Sequence, residues 1–255
     1  MPIQLTPENT TLCTVTRSSR AEFVESSLLG RSLRNFSDGR LPRVALHADN
    51  APPHAVLGLS EIYNRVLDAA ARDSFVVFVH DDVYVNDWFL LERLTEAFEH
   101  FDVVGVAGNS APDFAEPAWC MRFDASLAQN GLQNRASFSG SVRHGDPHAP
   151  GVHHYGPAPR ACELLDGLFL AVNVRRLREH RVRFDTRFRF HAYDLDLCRT
   201  ARAADLRVGT WPIALTHASR GSYDSAAWRE AAAEYLRKWS TTSTEREASA
   251  AYVRR

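Results

Sequence analysis

Lysine is almost missing from this chain: Lys238 is the single one among 30 basic residues, which face 31 acidic residues for a net charge of −1. So balanced a chain has no summed field to draw it to nucleic acid or an anionic membrane, and a charged partner must be recognised locally. The arginine bias reads as a composition preference rather than a phosphate-binding device. Cysteine is sparse and unpatterned. Cys13, Cys120, Cys162 and Cys198 form no C-x-x-C pair and match no histidine spacing, which argues against a zinc module or a disulfide framework and leaves buried, reduced thiols. The opening MPIQLTPENT has neither a basic nor an apolar leader region, and no apolar run approaches the roughly 18 residues of a membrane span. The expectation is a soluble, cytoplasmic protein with no transmembrane segment and no nucleic-acid partner.

What is present is enough apolar material for a large core: 45% hydrophobic over 255 residues. Short apolar runs alternate with helix-like stretches through the first 110 residues: TLCTVT, a segment around Ala21 to Leu33, RVALHA, Leu57 to Ala71, FVVFV, Trp88 to Phe101 and VVGVAG. Such alternation predicts βαβ units and an α/β fold with a mostly parallel central sheet flanked by helices. Ligands of such sheets bind beyond the carboxyl ends of the strands. That rim holds Thr16-Arg17, Ala48-Asp49-Asn50 and His80-Asp81-Asp82.

From Ser110 to Arg160 the pattern dissolves into Pro, Gly, Asn and His, and predicts a long irregular excursion. Its SGSVRHGDPHAPGVHHYGP holds His144, His148, His153 and His154, whose uneven spacing fits a mobile lid better than a soft-metal site. Regular structure resumes at Glu163 to Val174, with a helix into FDTRF, a helix near Asp194 to Asp205, a strand RVGTWPIALTH and a last helix from Asp224 to Trp239. Trp228, Ala232, Tyr235 and Trp239 lie on one face of that helix. The tail EREASAAYVRR is expected to fray, and neither a repeat nor a second core is evident.

FVVFV running into His80, Asp81 and Asp82 is the most informative stretch. Hard divalent cations take oxygen ligands and hold diphosphates through one or two carboxylates. Because neighbouring side chains on a strand face opposite ways, only one of the two carboxylates, with His80 on its side, is expected to reach a metal. The plain alternative is a solvated turn whose Asp caps the next helix. Further on, HAYDLDLC sets Asp194 and Asp196 two residues apart, and THASRGS puts His217 at the end of a late strand. Singly, these read as a helix cap, a surface charge and a core histidine; their order along the chain is what points to a site.

LSEIYNRVLDAAARDSFVVFVHDD (59 to 82), with Asn64 and Ala70 on the helix and the H-x-D of His80 and Asp82 at the strand end, resembles family 2-like glycosyltransferases of GT-A fold. The H-x-D form of the D-x-D motif resembles a bacterial subgroup of that superfamily. DGLFLAVNVRRL, VRFDTRFRFHAYDLDLC and the His217 strand follow in the same order, so the resemblance spans about residues 10 to 222. It implies one nucleotide-diphospho-sugar transferase domain over 1 to 240. Residues 10 to 110 would form the nucleotide-sugar half and 111 to 222 the acceptor and catalytic half; the helix 223 to 240 and the tail 241 to 255 follow.

The resemblance implies further roles. Asp82, His80 and His217 hold a divalent Mn²⁺ or Mg²⁺. Arg17, Asp49, Asn50, Asn64, Asp81 and Arg220 lie on the donor side, Arg220 having the plainer reading of a loop charge. Asp166, Gly167 and Asp196 line the acceptor, and Asp194 is the general base, although Tyr193 stands where the family has Glu and Asp196 competes for the role. The implied activity is sugar transfer from a UDP-, GDP- or dTDP-sugar to a hydroxyl on a glycan, lipid-linked glycan or small molecule. Inversion at the anomeric carbon, a place in polysaccharide or natural-product glycosylation and a homodimer complete the expectation. Two rivals fit less well: a metal-dependent His-Asp phosphohydrolase typically carries its pair on a helix, and a nucleotidyltransferase of sugar-phosphate pyrophosphorylase type needs a glycine-rich phosphate loop that TVTRSSRAEF lacks. A non-catalytic binding module is the third.

Overall fold

Val76 to Val79, with Phe75 before them, are buried on both faces, and they form a central strand of the computed structural model, which describes residues 4–36, 39–54, 56–148, 151–219, 223 and 225–253. The strands are β1 Thr10–Val15, β2 Arg43–His47, β3 Phe75–Val79, β4 Val83–Val85, β5 Val103–Gly105, β6 Ala107–Asn109, β7 Met121–Phe123, β8 Gln129–Leu132, β9 Phe138–His144, β10 His153–Gly156, β11 Arg160–Ala161, β12 Leu164–Leu165, β13 Phe169–Asn173, β14 Val208–Thr210 and β15 Leu215–His217. The helices are α1 Arg20–Ser26, α2 Leu28–Leu33, α3 Leu59–Ala69, α4 Leu90–His100, α5 Val174–Glu179, α6 Tyr193–Ala203 and α7 Ala226–Val253.

The result is a mixed α/β fold whose central sheet has the order β11-β14-β5-β13-β3-β1-β2. The βαβ expectation holds for β2, β1 and β3, which run parallel, and for β5 with β14. Between those groups β13 runs antiparallel to both β3 and β5. Helices α3 and α4 lay Ile62, Tyr63, Leu67, Leu94, Ala97 and Phe98 into the core, the spacing of a helix with one apolar face. Helix α1 starts at a capping box in which Ser19 and Glu22 satisfy each other's backbone N–H groups.

A second sheet, β12-β6-β9-β15-β4 with β10 on β9, occupies part of the stretch expected to be irregular. SGSVRH is strand β9, held between β6 and β15, and His153 and His154 pair back onto Val142 and Ser141. A hairpin therefore stands where a lid was expected. Gly140 permits the close crossing: it has φ +100°, and a Cβ there would strike the Val106 carbonyl. The tail expected to fray continues α7 to Val253.

The chain passes repeatedly from one sheet to the other. It crosses at His80–Asp82 between β3 and β4, at Val106 between β5 and β6, at 166–168 between β12 and β13, and at 211–214 between β14 and β15. The seam between the sheets thus collects the ends of several strands.

Candidate active site

At the seam the backbone of the HDD segment is pinned from three sides. His80 N–H donates to Leu168 O (3.1 Å), Leu29 N–H to Asp81 O (3.1 Å) and Ala218 N–H to Asp82 O (3.0 Å). Pairing of β15 with β4 sets His217 opposite Val83, beside the same segment. The ligand atoms of His80, Asp82 and His217 all lie within 4.8 Å of one another. His217 Nε2 is 3.3 Å from Asp82 Oδ1 and 3.0 Å from Ser219 Oγ. His80 and Asp82 meet in the turn that joins β3 to β4, closed by Val83 N–H donating to His80 O (3.2 Å), and Asp81 does not join their group.

Burial alone would raise the Asp82 pKa, but the hydrogen bond and charge of His217, with a contribution from His80, override it and hold the carboxyl at about 2. For His217 burial pulls downward, and the Asp82 hydrogen bond and charge more than offset it, so its pKa lies above the ordinary histidine value. Burial lowers the His80 pKa, which favours the neutral ring that a metal ligand must be. Two imidazoles and an ionised carboxylate form a donor set that a divalent transition-metal cation, Mn²⁺ among them, accepts more readily than Mg²⁺ does.

On the other side of the seam stands Asp194, in the first turn of α6. The chain enters that helix through Ala192, a non-glycine residue at φ 60°. Asp194 Oδ2 accepts a 2.8 Å hydrogen bond from Gly167 N–H. Only glycine fits at 167, since a Cβ would lie 2.6 Å from Tyr193 Oη and 2.9 Å from Asp194 Oδ2. Burial, then the charge of Asp166, raises the Asp194 pKa to about 7, against the opposing pull of backbone N–H groups at the helix start. A carboxylate titrating near neutrality suits a general base.

Two cavities meet here. One, of about 660 Å³, is lined by Arg17, Asn50, Tyr63, Asp81 and Asp82; the other, of about 440 Å³, by Trp119, Tyr155, Trp228, Asp166, Asp194 and His217. Both are lined by His80, Phe190 and His191. Trp119 Nε1–H donates to Asp166 Oδ2 (2.9 Å), which fixes the indole as a wall of the smaller cavity.

Several expected site residues have other uses. Asn64 is buried with its amide engaged by Phe184: Nδ2 donates to Phe184 O (2.8 Å) and Oδ1 accepts from Phe184 N–H (3.2 Å). It ties α3 to the chain before α6 and is not among the residues lining either cavity. Asn50 borders the larger cavity, yet its amide brackets Leu57, accepting from its N–H (2.9 Å) and donating to its carbonyl (3.0 Å). Asp49 is exposed at φ 57° in the turn beside it. Asp196 is wholly buried against α7, paired with Lys238 Nζ at 2.6 Å, and so lines neither cavity. Arg220 lies outside the described residues. The four histidines of 139–157 diverge. His144 and His153 approach each other beside His217, whereas His148 turns to Tyr84 and His154 to Ser141 Oγ. All four cysteines are free thiols.

Sequence reasoning noted Tyr193 only as a departure from the family pattern and missed the aromatic wall. Tyr193 Oη is 2.7 Å from His80 Nε2 and donates to Gly167 O at 3.0 Å. Trp119 and Tyr155 lie in the stretch read as irregular, where only their being aromatic amid Pro and Gly marked them.

No family model and no curated protein sequence matches the chain. Among solved structures it is similar to S. aureus TarS 1-349 at 14% identity and TM-score 0.40, covering 82% of this chain and 60% of that one. It is similar to the catalytic domain of Drosophila beta1,4galactosyltransferase 7 in complex with xylobiose at 12% identity and TM-score 0.40, covering 79% and 64%. A197 from STIV is similar at 12% identity and TM-score 0.40, with 85% and 100% covered. This chain thus spans less than two thirds of the first two, and residue roles do not transfer at such identities. Among the described residues no helix is long and apolar enough to cross a membrane.

Proposed function

We propose that this protein is a metal-dependent glycosyltransferase of GT-A type that moves a sugar from a nucleotide-diphosphate sugar to an acceptor hydroxyl with inversion. The observation that carries the reading is the grouping of His80, Asp82 and His217 beside two cavities that share His80, with a base-like carboxylate in only the smaller one. Arg17 at the larger cavity offers a guanidinium to a diphosphate. What a divalent cation supplies when bound is neutralisation of charge on the departing diphosphate. Asp194 takes the proton of the acceptor hydroxyl as that oxygen bonds to the anomeric carbon, while the bond from that carbon to the diphosphate oxygen breaks and its electron pair leaves with the diphosphate. Asp194 is oriented for this by Gly167 N–H, and Asp166 keeps Trp119 against the acceptor. The phosphohydrolase reading loses support because the His-Asp pair follows a strand rather than riding a helix.

The smaller cavity, read as the acceptor's, has Trp119, Tyr155 and Trp228 on its wall, with histidines but no arginine or lysine among its described lining residues. Aromatic faces beside the carboxylates of Asp166 and Asp194 suit an uncharged ring-bearing acceptor, since those carboxylates repel a phosphate. The test of the reading is a thermal-shift screen of UDP-, GDP- and dTDP-sugars with and without Mn²⁺. A nucleotide sugar at ~100 times its Kd should stabilise by about 2.7 kcal/mol, only with the cation, and not in Asp82→Ala. Absence of any cation-dependent shift, or its persistence in that variant, refutes the reading.

A further inference from the structure

Tyr193 occupies the position where the resemblance leads one to expect a glutamate, and its contacts give it a different task. Its hydroxyl carries one proton. The Gly167 carbonyl, 3.0 Å away, can only accept, so the proton points there. With the proton so placed, a lone pair of the same oxygen faces His80 Nε2 at 2.7 Å, an arrangement in which that nitrogen is the donor; the Tyr63 hydroxyl is a further hydrogen-bond partner of Tyr193. A neutral imidazole with its proton on Nε2 has its free lone pair on Nδ1.

We propose that Tyr193 is a positioning residue that fixes His80 in the Nε2–H tautomer and thereby presents Nδ1 to the cation site formed with Asp82 and His217. The proposal rests on the metal reading of that cluster. Tyr193 can do this because it does not move: it is buried, packs edge-on against Tyr63, and has Gly167 so close that a methyl group there would lie 2.6 Å from its oxygen. The orientation of a metal-ligating histidine is commonly set by a partner on its other nitrogen, usually a carboxylate or carbonyl. Here a phenol relays a carbonyl to the ring. The same glycine receives both ends of the site, its C=O bonding Tyr193 and its N–H bonding Asp194. One peptide segment therefore aligns a metal ligand and the candidate base.

Two-bond ¹H–¹⁵N correlation spectra of metal-free, ¹⁵N-histidine-labelled protein, with the His80 signals identified by their loss in His80→Asn, read the tautomer without any variant at Tyr193. The expected pattern is a protonated Nε2 and an unprotonated Nδ1; the reverse pattern overturns the proposal. Tyr193→Phe should lose that preference and weaken Mn²⁺ binding about 10–100-fold in a paramagnetic-resonance titration, with its melting transition still cooperative. Unchanged Mn²⁺ affinity in the variant also overturns it. If the wild type binds no Mn²⁺, the metal reading fails, and the tautomer in the metal-free protein still decides the role of Tyr193.

Discussion

Asp194→Asn separates what the carboxylate does for the reaction from what it does to the fold. The folded carboxyl is held at about 7 against an ordinary value of 3.8, and each pKa unit corresponds to about 1.4 kcal/mol, so ionised Asp194 destabilises the native state by at most about 4 kcal/mol. Its outer face looks into a cavity, and solvent screening brings the expected figure to roughly 2 kcal/mol. The sign follows from where each state ionises. Below pH 3.8 both states hold the proton and nothing is lost; between that value and about 7 only the unfolded chain releases it, so native stability falls as pH rises. Asparagine removes the loss while its side-chain oxygen still accepts from Gly167 N–H. The variant should therefore melt higher than wild type by roughly 4–8 °C at pH 8, and by clearly less at pH 5. Its sugar transfer should be abolished with donor binding retained, and wild-type turnover should climb with pH through about 7 and then level. A gain in melting temperature equal at both pH values refutes the desolvation account; retained turnover refutes the base.

Gly167→Ala places a Cβ 2.6 Å from Tyr193 Oη and 2.9 Å from Asp194 Oδ2; it should cost about 1–3 kcal/mol in denaturant melts and lower turnover at least about tenfold, and near-normal turnover rejects the coupling. Asp82→Ala should remove Mn²⁺-dependent nucleotide binding in calorimetry, and an unchanged Kd counts against the site. Lys238→Ala leaves the carboxylate of Asp196 buried without its 2.6 Å partner, so stability should fall by about 3–5 kcal/mol; a change under about 1 kcal/mol shows the pair to be inconsequential. Phenyl β-glucopyranoside should quench the fluorescence of the tryptophans at the smaller cavity more strongly than its 6-phosphate does, and the opposite order rules out an acceptor lacking phosphate.

The readable parts of the fold were those whose pattern is local. FVVFV is apolar throughout because β3 is buried on both faces, and Trp228, Ala232, Tyr235 and Trp239 recur at helical spacing because one face of α7 is buried. Strand direction is not local. FLAV of β13 is apolar throughout like FVVFV, yet it runs antiparallel between β3 and β5, and buried strands read alike whichever way they run. VVGVAG looks like one strand and is two, since the chain changes sheets at Val106. SGSVRH lacks the alternation of an isolated strand and acquires its pairing from β6 and β15. In the site, His80, Asp82 and His217 were legible from their order at strand ends. Tyr193 was not, because its role depends on a histidine 113 residues away and on the one glycine carbonyl beside it.

The division of labour between Asp194 and Asp196 follows from helix geometry. At 3.6 residues per turn, side chains two apart diverge by about 200°, so two carboxylates so spaced on α6 cannot share one site even though two on a strand can. Asp194 meets Gly167 at the seam, and Asp196 faces α7, where Lys238 Nζ (2.6 Å) and Trp239 Nε1 (2.9 Å) both reach its Oδ1. Burial raises the Asp196 pKa against the pull of Lys238, so the ion pair is no gift to stability by itself. What it does is register the helix: Lys238 also reaches Asp185 Oδ2 (2.9 Å) in the segment that leads into α6. A compact ammonium over Phe188 and Trp239 bridges both carboxylates, a place where a planar guanidinium would need more room. This gives a physical reason for the one lysine in an arginine-rich chain to stand there. The far face of α6 is thereby fixed, and with it the rotation that delivers Tyr193 to His80 and Asp194 to the smaller cavity.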